Sequence, residues 1–199
     1  MKKWEMSVVA GLVITIILSL FSFNAQCGEI RDSVLRLHVL ANSDSAEDQE
    51  LKFKIRDKLL SECSDIFKNA DDEKSAANAA RDNIGKMTGI AEDEIRRNGY
   101  SYPVTVRVEK TVFDTKSYDG GITFPSGEYE AVRILIGDAE GENWWCVLFP
   151  PMCLPAAKPK EEIKQVFSDR ENEIVTNKPK YEIRFKAVEI INAIKGWFR

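Results

Sequence analysis

The side chains best suited to chemistry are a single histidine and two cysteines that stand close together. His38 is the only histidine, and Cys146 and Cys153 belong to the segment N-W-W-C-V-L-F-P-P-M-C at 143–153. Cys146 or His38 would serve an exported hydrolase, because a thiolate or an imidazole can act as nucleophile or general base. Alternatively, the two cysteines pair as a disulfide, since close cysteines in an exported chain tend to be oxidised.

Spacing excludes several other kinds of site. A zinc site with several imidazoles is impossible with one histidine, and the sequence has no Cys-x-x-Cys pair and no glycine-rich phosphate loop. Four acidic residues could bind a metal or share a proton, but they stand at the start of a helical pattern, where acidic side chains complement the helix dipole. They are Asp44, Glu47, Asp48 and Glu50. We therefore predict no catalytic residue, no metal, no cofactor and no enzymatic activity.

Trp144 and Trp145 are the other notable side chains of this segment. If the segment is a strand, its consecutive side chains point to opposite faces of the sheet. One tryptophan then joins the core with ease, while the other faces solvent, a covering element or a partner. Exposed tryptophans are enriched at binding hot spots, so a partner contact and a covering element are both open alternatives.

The chain begins with a segment that is typical of exported proteins. Residues 6–28 carry no charge and follow Lys2 and Lys3. The most apolar part, 8–23, has the length of a long signal-peptide core and predicts export. The triplets S-F-N and N-A-Q within 22–26 are poor small-x-small cleavage sites. We therefore expect 1–28 to be a signal peptide or an uncleaved membrane anchor, and 29–199 to be a single exported domain.

Charge and the first cysteine add two further constraints. A formal net charge of -4 with interspersed signs argues against a nucleic-acid partner, which requires a basic surface. Cys27 would be the lipid-bearing residue of a lipoprotein, but Gln26 stands where a small residue is usual. Cys63 falls within an amphipathic helical pattern, so we expect a buried free thiol there.

The first half of the chain predicts one strand followed by helices. Residues 34–41 alternate like a strand, and 46–68 repeat apolar residues at spacings of three and four like an amphipathic helix. Either Asp44 or Ser45 would cap that helix. A second helix is expected after Asp71-Asp72, ending at Gly89, and a short third helix at 91–97.

The second half predicts three strands and then more helices. We expect strands at 102–113, 128–136 and 143–149, with the last two forming an antiparallel hairpin and 114–127 a long loop. A short helix at 160–167, a poorly ordered stretch at 168–180 and a final helix at 181–198 would follow. This order predicts an α+β fold with an antiparallel or mixed sheet of about four strands covered by helices.

Three segments give the chain a family resemblance. They are L-R-L-H-V-L-A-N-S-D-S-A-E-D-Q-E-L-K-F-K-I-R-D at 35–57, F-P-S-G-E-Y-E-A at 124–131 and G-E-N-W-W-C-V-L-F-P-P-M-C at 141–153. In this order, behind an apolar leader, they resemble the stage II sporulation protein R family. The resemblance implies a protein made in the forespore and exported into the space between the forespore and mother-cell membranes.

The same resemblance implies a signalling function. Members of that family trigger a membrane-embedded aspartic protease of the mother cell, which then cleaves the precursor of sigma factor E. The chain itself has no D-T-G or D-S-G motif of an aspartic protease, in agreement with a role as the ligand. A structural component of the intermembrane space, held by an uncleaved anchor, is the remaining alternative.

A hypothetical surface for that partner follows from residue chemistry. Polar groups near the first strand and helix exceed what a helix cap needs, and the paired tryptophans supply apolar area. The residues of this predicted patch are His38, Asn42, Asp44, Asp48, Gln49, Lys52, Arg56, Trp144 and Trp145.

Overall fold

The structure is a computed structural model that describes residues 3–118, 121–153 and 166–197, with side chains described as far as 194. The chain divides into two compact units. The first unit comprises Met1–Arg31, Val112–Gly127 and Phe167–Arg199, and the second unit comprises Asp32–Thr111 and Glu128–Val166. Most of the helix predicted at 160–167 lies outside the described residues.

The elements follow the predicted order of strand, helices, strands and helices. In chain order they are α1 (Lys3–Asp32), β1 (Leu35–Leu40), α2 (Ala46–Glu62), a 3-10 turn (Ser64–Phe67), α3 (Glu73–Asp82), α4 (Ile84–Arg97), β2 (Val104–Phe113), β3 (Lys116–Tyr118), β4 (Ile122–Phe124), β5 (Gly127–Ile136), β6 (Asn143–Phe149), α5 (Asp169–Thr176) and α6 (Lys178–Trp197).

A mixed sheet of four strands, in the order β2-β5-β1-β6, confirms the predicted α+β class. β1 runs parallel to β5 and antiparallel to β6. Its side chains from Leu35 to Val39 are all buried, including the polar Arg36 and His38, so both faces of this central strand are covered.

The predicted hairpin of β5 and β6 is wrong. β1 lies between these two strands, so the turn at 137–142 crosses the end of β1 instead of joining neighbouring strands. The Gly141 and Glu140 amides donate to the carbonyls of Ala41 and Asn42, just beyond β1. The hairpin prediction failed because a short turn fits either arrangement, and consecutive strands are neighbours in many sheets but not in all.

Helices α2, α3 and α4 belong to the second unit and present narrow apolar stripes. The buried residues are Leu51, Ile55 and Leu59 in α2, Ala76, Ala77 and Ala80 in α3, and Met87, Ala91 and Ile95 in α4. Leu59 and Met87 line one small cavity together with Leu37, Val132 and Leu148 of the sheet, which identifies the face that these helices cover. Cys63 is buried and free, as predicted.

Helix boundaries differ from the predictions where caps decide them. Ser45 caps α2 by accepting from the Asp48 amide at 3.2 Å, and Asp72 caps α3 by accepting from Ser75 at 2.7 Å. Contrary to prediction, α4 passes through Gly89 without a break, because a glycine can stay helical when the surrounding helix is packed.

The first unit corrects two further predictions. Residues 168–180 were expected to be poorly ordered, but α5 begins there with a capping box between Ser168 and Glu171. The predicted loop at 114–127 contains the antiparallel pair β3 and β4. Both segments are mostly polar, which led to the wrong predictions. They are held by a few buried apolar residues, namely Ile174 and Val175 of α5 and Phe124 of β4.

Candidate partner-binding site

The strand register places the two tryptophans on opposite faces of the sheet. Trp144 pairs with Val39 of β1, and Trp145 pairs with His38. The Trp145 indole meets the His38 ring edge-on, with centroids 6.0 Å apart. Trp144 lies toward α2, where it contacts Arg56. Both indoles are half-buried, so each contributes to the fold and each keeps an accessible part.

Arg56 lies between two aromatic rings on the surface of the second unit. Its guanidinium carbon is 4.7 Å from the ring centroid of Trp144 and 4.7 Å from that of Phe53. Asp57 accepts from the same guanidinium at 2.6 Å. We name Phe53, Arg56 and Trp144 the aromatic patch. Cations over aromatic faces are attracted by the ring quadrupole, so this arrangement combines apolar ring surface with a cation that Asp57 partly neutralises.

Phe53 is the member of this patch that sequence reasoning missed. It is 39% exposed, an unusual value for a phenylalanine within a helix that buries a separate leucine and isoleucine stripe. Its position three residues before Arg56 could have indicated the contact from the sequence, since residues at that spacing are neighbours on a helix surface. A single exposed apolar residue is ordinary, but Phe53 stands beside the Trp144–Arg56 contact and extends it into a patch.

The polar residues between β1 and α2 hold a loop in place. The Asp48 carboxylate accepts from Asn42 at 2.8 Å and from the Ser43 hydroxyl at 2.6 Å. Burial by itself raises the pKa of Asp48, but these hydrogen bonds and one from Tyr102 bring its pKa below the ordinary value. Asp48 is only 5% exposed, so its charge stabilises the loop and is not presented to solvent.

The same loop is tied to the turn between β5 and β6. Asn42 Oδ1 accepts from the Asp138 amide at 3.0 Å, and Asp44 Oδ1 accepts from the Glu142 amide at 2.6 Å. Gly141 packs so closely that an added Cβ would lie 2.2 Å from the carbonyl oxygen of Ser43. The loop network, as we call residues 42–49 with Lys52 and 137–142, therefore fixes the start of β6.

Lys52 is the last member of the loop network. Its ammonium group donates to the Gln49 side chain and, at 2.9 Å, to the carbonyl of Glu142. The side chain is 2% exposed, and burial lowers its pKa although Glu142 and Asp44 oppose the shift. Lys52 also lies 4.8 Å from the Phe53 ring centroid, which links the loop network to the aromatic patch.

His38 lies in a buried polar setting. It is 6% exposed, and its Nε2 and the Asn143 Oδ1 are 2.6 Å apart. Burial lowers the pKa of His38, and the nearby positive charges of Arg133 and Arg36 lower it further, against the effect of Asn143. The imidazole is therefore neutral at neutral pH, and its position favours a structural role over a contact surface.

The structure thus divides the predicted patch into three groups. Arg56 and Trp144 meet in the aromatic patch, and His38 and Trp145 meet on the other face of the sheet. The remaining residues, Asn42, Asp44, Asp48, Gln49 and Lys52, belong to the loop network. Only the first group combines accessible apolar area with charge.

Cys146 and Cys153 lie together, as the spacing suggested. Their Cα atoms are 6.2 Å apart, within the range of disulfides. Cys146 is buried, and an oxidised pair would fix the end of β6 and would remove the thiolate that a hydrolase requires. Among the described residues, no cluster of three or more metal-binding side chains occurs.

Comparisons with known proteins identify the family. The model of the family described as "Stage II sporulation protein R (spore_II_R)" matches residues 31–159. The chain is 35% identical over 158 residues to "Stage II sporulation protein R" of Bacillus subtilis (strain 168), covering 79% of this chain and 70% of that protein. No solved structure matches.

These matches support a conclusion about function at the level of the family. They support a role in sporulation, and the family is named for a sporulation protein rather than for an enzymatic activity. The apolar helix α1 agrees with a signal or an anchor, because it is long and apolar enough to cross a membrane. The chain belongs to the stage II sporulation protein R family.

Proposed function

We propose that this chain is exported from the forespore into the space between the two membranes and activates the mother-cell membrane aspartic protease that cleaves the sigma-E precursor. Membership of the family and the apolar helix α1 support this function. The chain would act as a ligand, since a ligand shifts a receptor toward its active state when it binds that state more tightly.

The aromatic patch is the proposed contact surface on this ligand, and it is the single observation that carries the assignment of a site. Arg56 contacts both aromatic rings; Phe53 is exposed, and Arg56 and Trp144 are partly exposed. Phenylalanine, arginine and tryptophan are enriched at interfaces, and tryptophan and arginine dominate hot spots. The loop network serves this surface by holding the start of β6, and hence Trp144, against α2.

Reconstitution tests the function. The protease and the sigma-E precursor are expressed in a bacterium without sporulation genes, with or without the full chain, and precursor cleavage is followed by immunoblot. Cleavage that requires the chain supports the proposal. Cleavage that is independent of the chain, or no cleavage when all three proteins are present and exported, contradicts it.

The same assay separates a ligand from a hydrolase. A Cys146→Ala or His38→Ala chain that is present at the normal level should still activate the protease, because neither residue belongs to the aromatic patch. If activation disappears while the protein level is unchanged, the hydrolase hypothesis regains support. A chain that leaves processing unchanged in every form would instead favour a structural role between the membranes.

A further inference from the structure

The last third of α1 is part of the core of the first unit. Phe23, Cys27 and Ile30 are each at most 1% exposed, and their spacing of four and three places them on one face of the helix. Upstream, the helix is exposed and apolar on all sides, with a mean hydropathy of 2.4 in its most apolar window. A single uninterrupted helix therefore joins a lipid-compatible segment to a packed one.

Aromatic contacts attach this part of α1 to α6. The Phe23 ring stacks on Tyr181 with centroids 5.5 Å apart and meets Phe185 edge-on at 5.7 Å. The Arg184 guanidinium carbon lies 5.6 Å from the Phe23 ring centroid. Phe23 thus fills a pocket that α6 supplies, and a chain without Phe23 would leave that pocket empty.

The end of α1 is held by a second set of contacts. Arg31 and Asn192 both donate to the carbonyl oxygen of Ser126 at 3.1 Å. The Arg31 side chain occupies the space beside Gly127, whose φ is +143° and where an added Cβ would lie 2.6 Å from Arg31 Cδ. Phe23 packs against the first turns of α6, and Arg31 shares its acceptor with the later residue Asn192, so the two helices run in the same direction.

This direction determines where the apolar segment leaves the first unit. Phe23 meets α6 near its start, so residues before Phe23 extend past the first turn, which contains Lys178, Lys180 and Tyr181. Basic and tyrosine side chains are typical of the membrane–water boundary. Trp4, a residue that also favours this boundary, lies about 28 Å before Phe23 along the helix axis, close to the thickness of the hydrocarbon core.

We propose that residues 4–22 remain in the lipid bilayer as an uncleaved transmembrane anchor and that the first unit folds onto the end of this anchor. Cleavage within the S-F-N or N-A-Q triplets would remove Phe23 from the core, and neither triplet is a good small-x-small site. The anchor does not depend on the activation proposed above, because membrane fractionation detects it without the protease.

Fractionation of the full chain is the deciding experiment. The chain, with a C-terminal tag, is produced in a bacterium, the membranes are washed with alkaline carbonate, and the intact mass is measured. We expect the uncleaved mass in the washed membranes. A shortened chain beginning after residue 24 or 26, or a full-length chain released by the wash, would overturn the proposal.

A matched pair of variants tests the role of the packed end. Asn24→Ala creates the small-x-small triplet S-F-A, whereas Asn24→Leu creates none. If the alanine variant is cut, trypsin should digest α6 of the cut chain at least about tenfold faster than in the leucine variant, because local opening becomes easier. Equal protection of α6 would overturn the packing role of Phe23. An uncut alanine variant agrees with retention.

Discussion

The guanidinium carbon of Arg56 lies 4.7 Å from the ring centroid of Trp144. This contact joins a helix to the edge strand of a sheet through a cation and an aromatic face, at the surface of the second unit. A partly exposed contact of this kind contributes about 1 kcal/mol to stability, so its loss should leave the chain folded. The proposed contact role can therefore be tested separately from stability at this site.

The first prediction concerns the aromatic patch. Trp144→Ala, Phe53→Ala and Arg56→Glu should each weaken activation of the protease by about 5- to 30-fold in the concentration needed, as the loss of a hot-spot contact does. Dose–response curves of sigma-E precursor cleavage measure the effect. The chain should remain folded in each case.

Arg97→Glu is the matched control for Arg56→Glu. Arg97 is an exposed residue of α4 in the same unit, and its reversal changes the net charge by the same amount. A loss of activation that is equal for both variants would show a general charge effect and would contradict the assignment of the patch. Normal activation by all three patch variants would contradict it as well.

The second prediction concerns Asp48 in the loop network. Asp48→Ala leaves the donors of Asn42 and Ser43 without their carboxylate and should reduce the free energy of unfolding by about 2–3 kcal/mol. Amide hydrogen exchange at Asp138, Gly141 and Glu142 should accelerate, because these amides bind the same loop. Glu47→Ala changes an exposed residue one position away. It should leave the free energy of unfolding within about 0.5 kcal/mol of the wild type and the exchange of these three amides unchanged.

The pH dependence of Asp48 has a definite sign. Since the folded state lowers its pKa, the contribution of Asp48 is complete above the unfolded value of about 3.9 and is lost as the pH falls through the folded value. Hydrogen-exchange protection of the Asp138 amide should therefore persist at pH 5 and fall in strong acid. Protection that disappears between pH 7 and pH 5 would contradict this.

The third prediction concerns His38. Because its pKa is lowered in the folded state, its contribution to stability is complete above the unfolded pKa of about 6.5 and decreases as the pH falls below that value. Urea unfolding in mild detergent should show a lower midpoint at pH 5.5 than at pH 7.5. His38 is the only histidine, so His38→Gln should remove most of this difference; an unchanged difference would refute the assignment.

The fourth prediction is that Cys146 and Cys153 are oxidised after export. Thiol labelling of the denatured, unreduced protein should modify Cys27 and Cys63 alone, and prior reduction should expose all four cysteines. Cys146→Ser together with Cys153→Ser should reduce stability by about 2.5 kcal/mol on the loop-entropy model. Labelling of four cysteines without reduction would show that the pair is a dithiol.

The sequence by itself determined the α+β class, the order of the main elements, the apolar N-terminal segment and the family. These features depend on local periodicity, on caps such as Ser45 and Asp72, and on motifs that one stretch of chain contains. The proximity of Cys146 and Cys153 belongs here too, because few residues separate them.

Only the tertiary structure decided which strand stands between which others and which polar groups meet. β1 separates β5 from β6. Asn42 and Lys52 bind the turn at 137–142, and Asp48 holds Asn42 in place. The bonds to the turn join residues that are distant in sequence, so no local pattern encodes them. The place of Phe53 in the aromatic patch and that of Phe23 in the core of the first unit were decided in the same way, because tertiary packing determines which side chains meet.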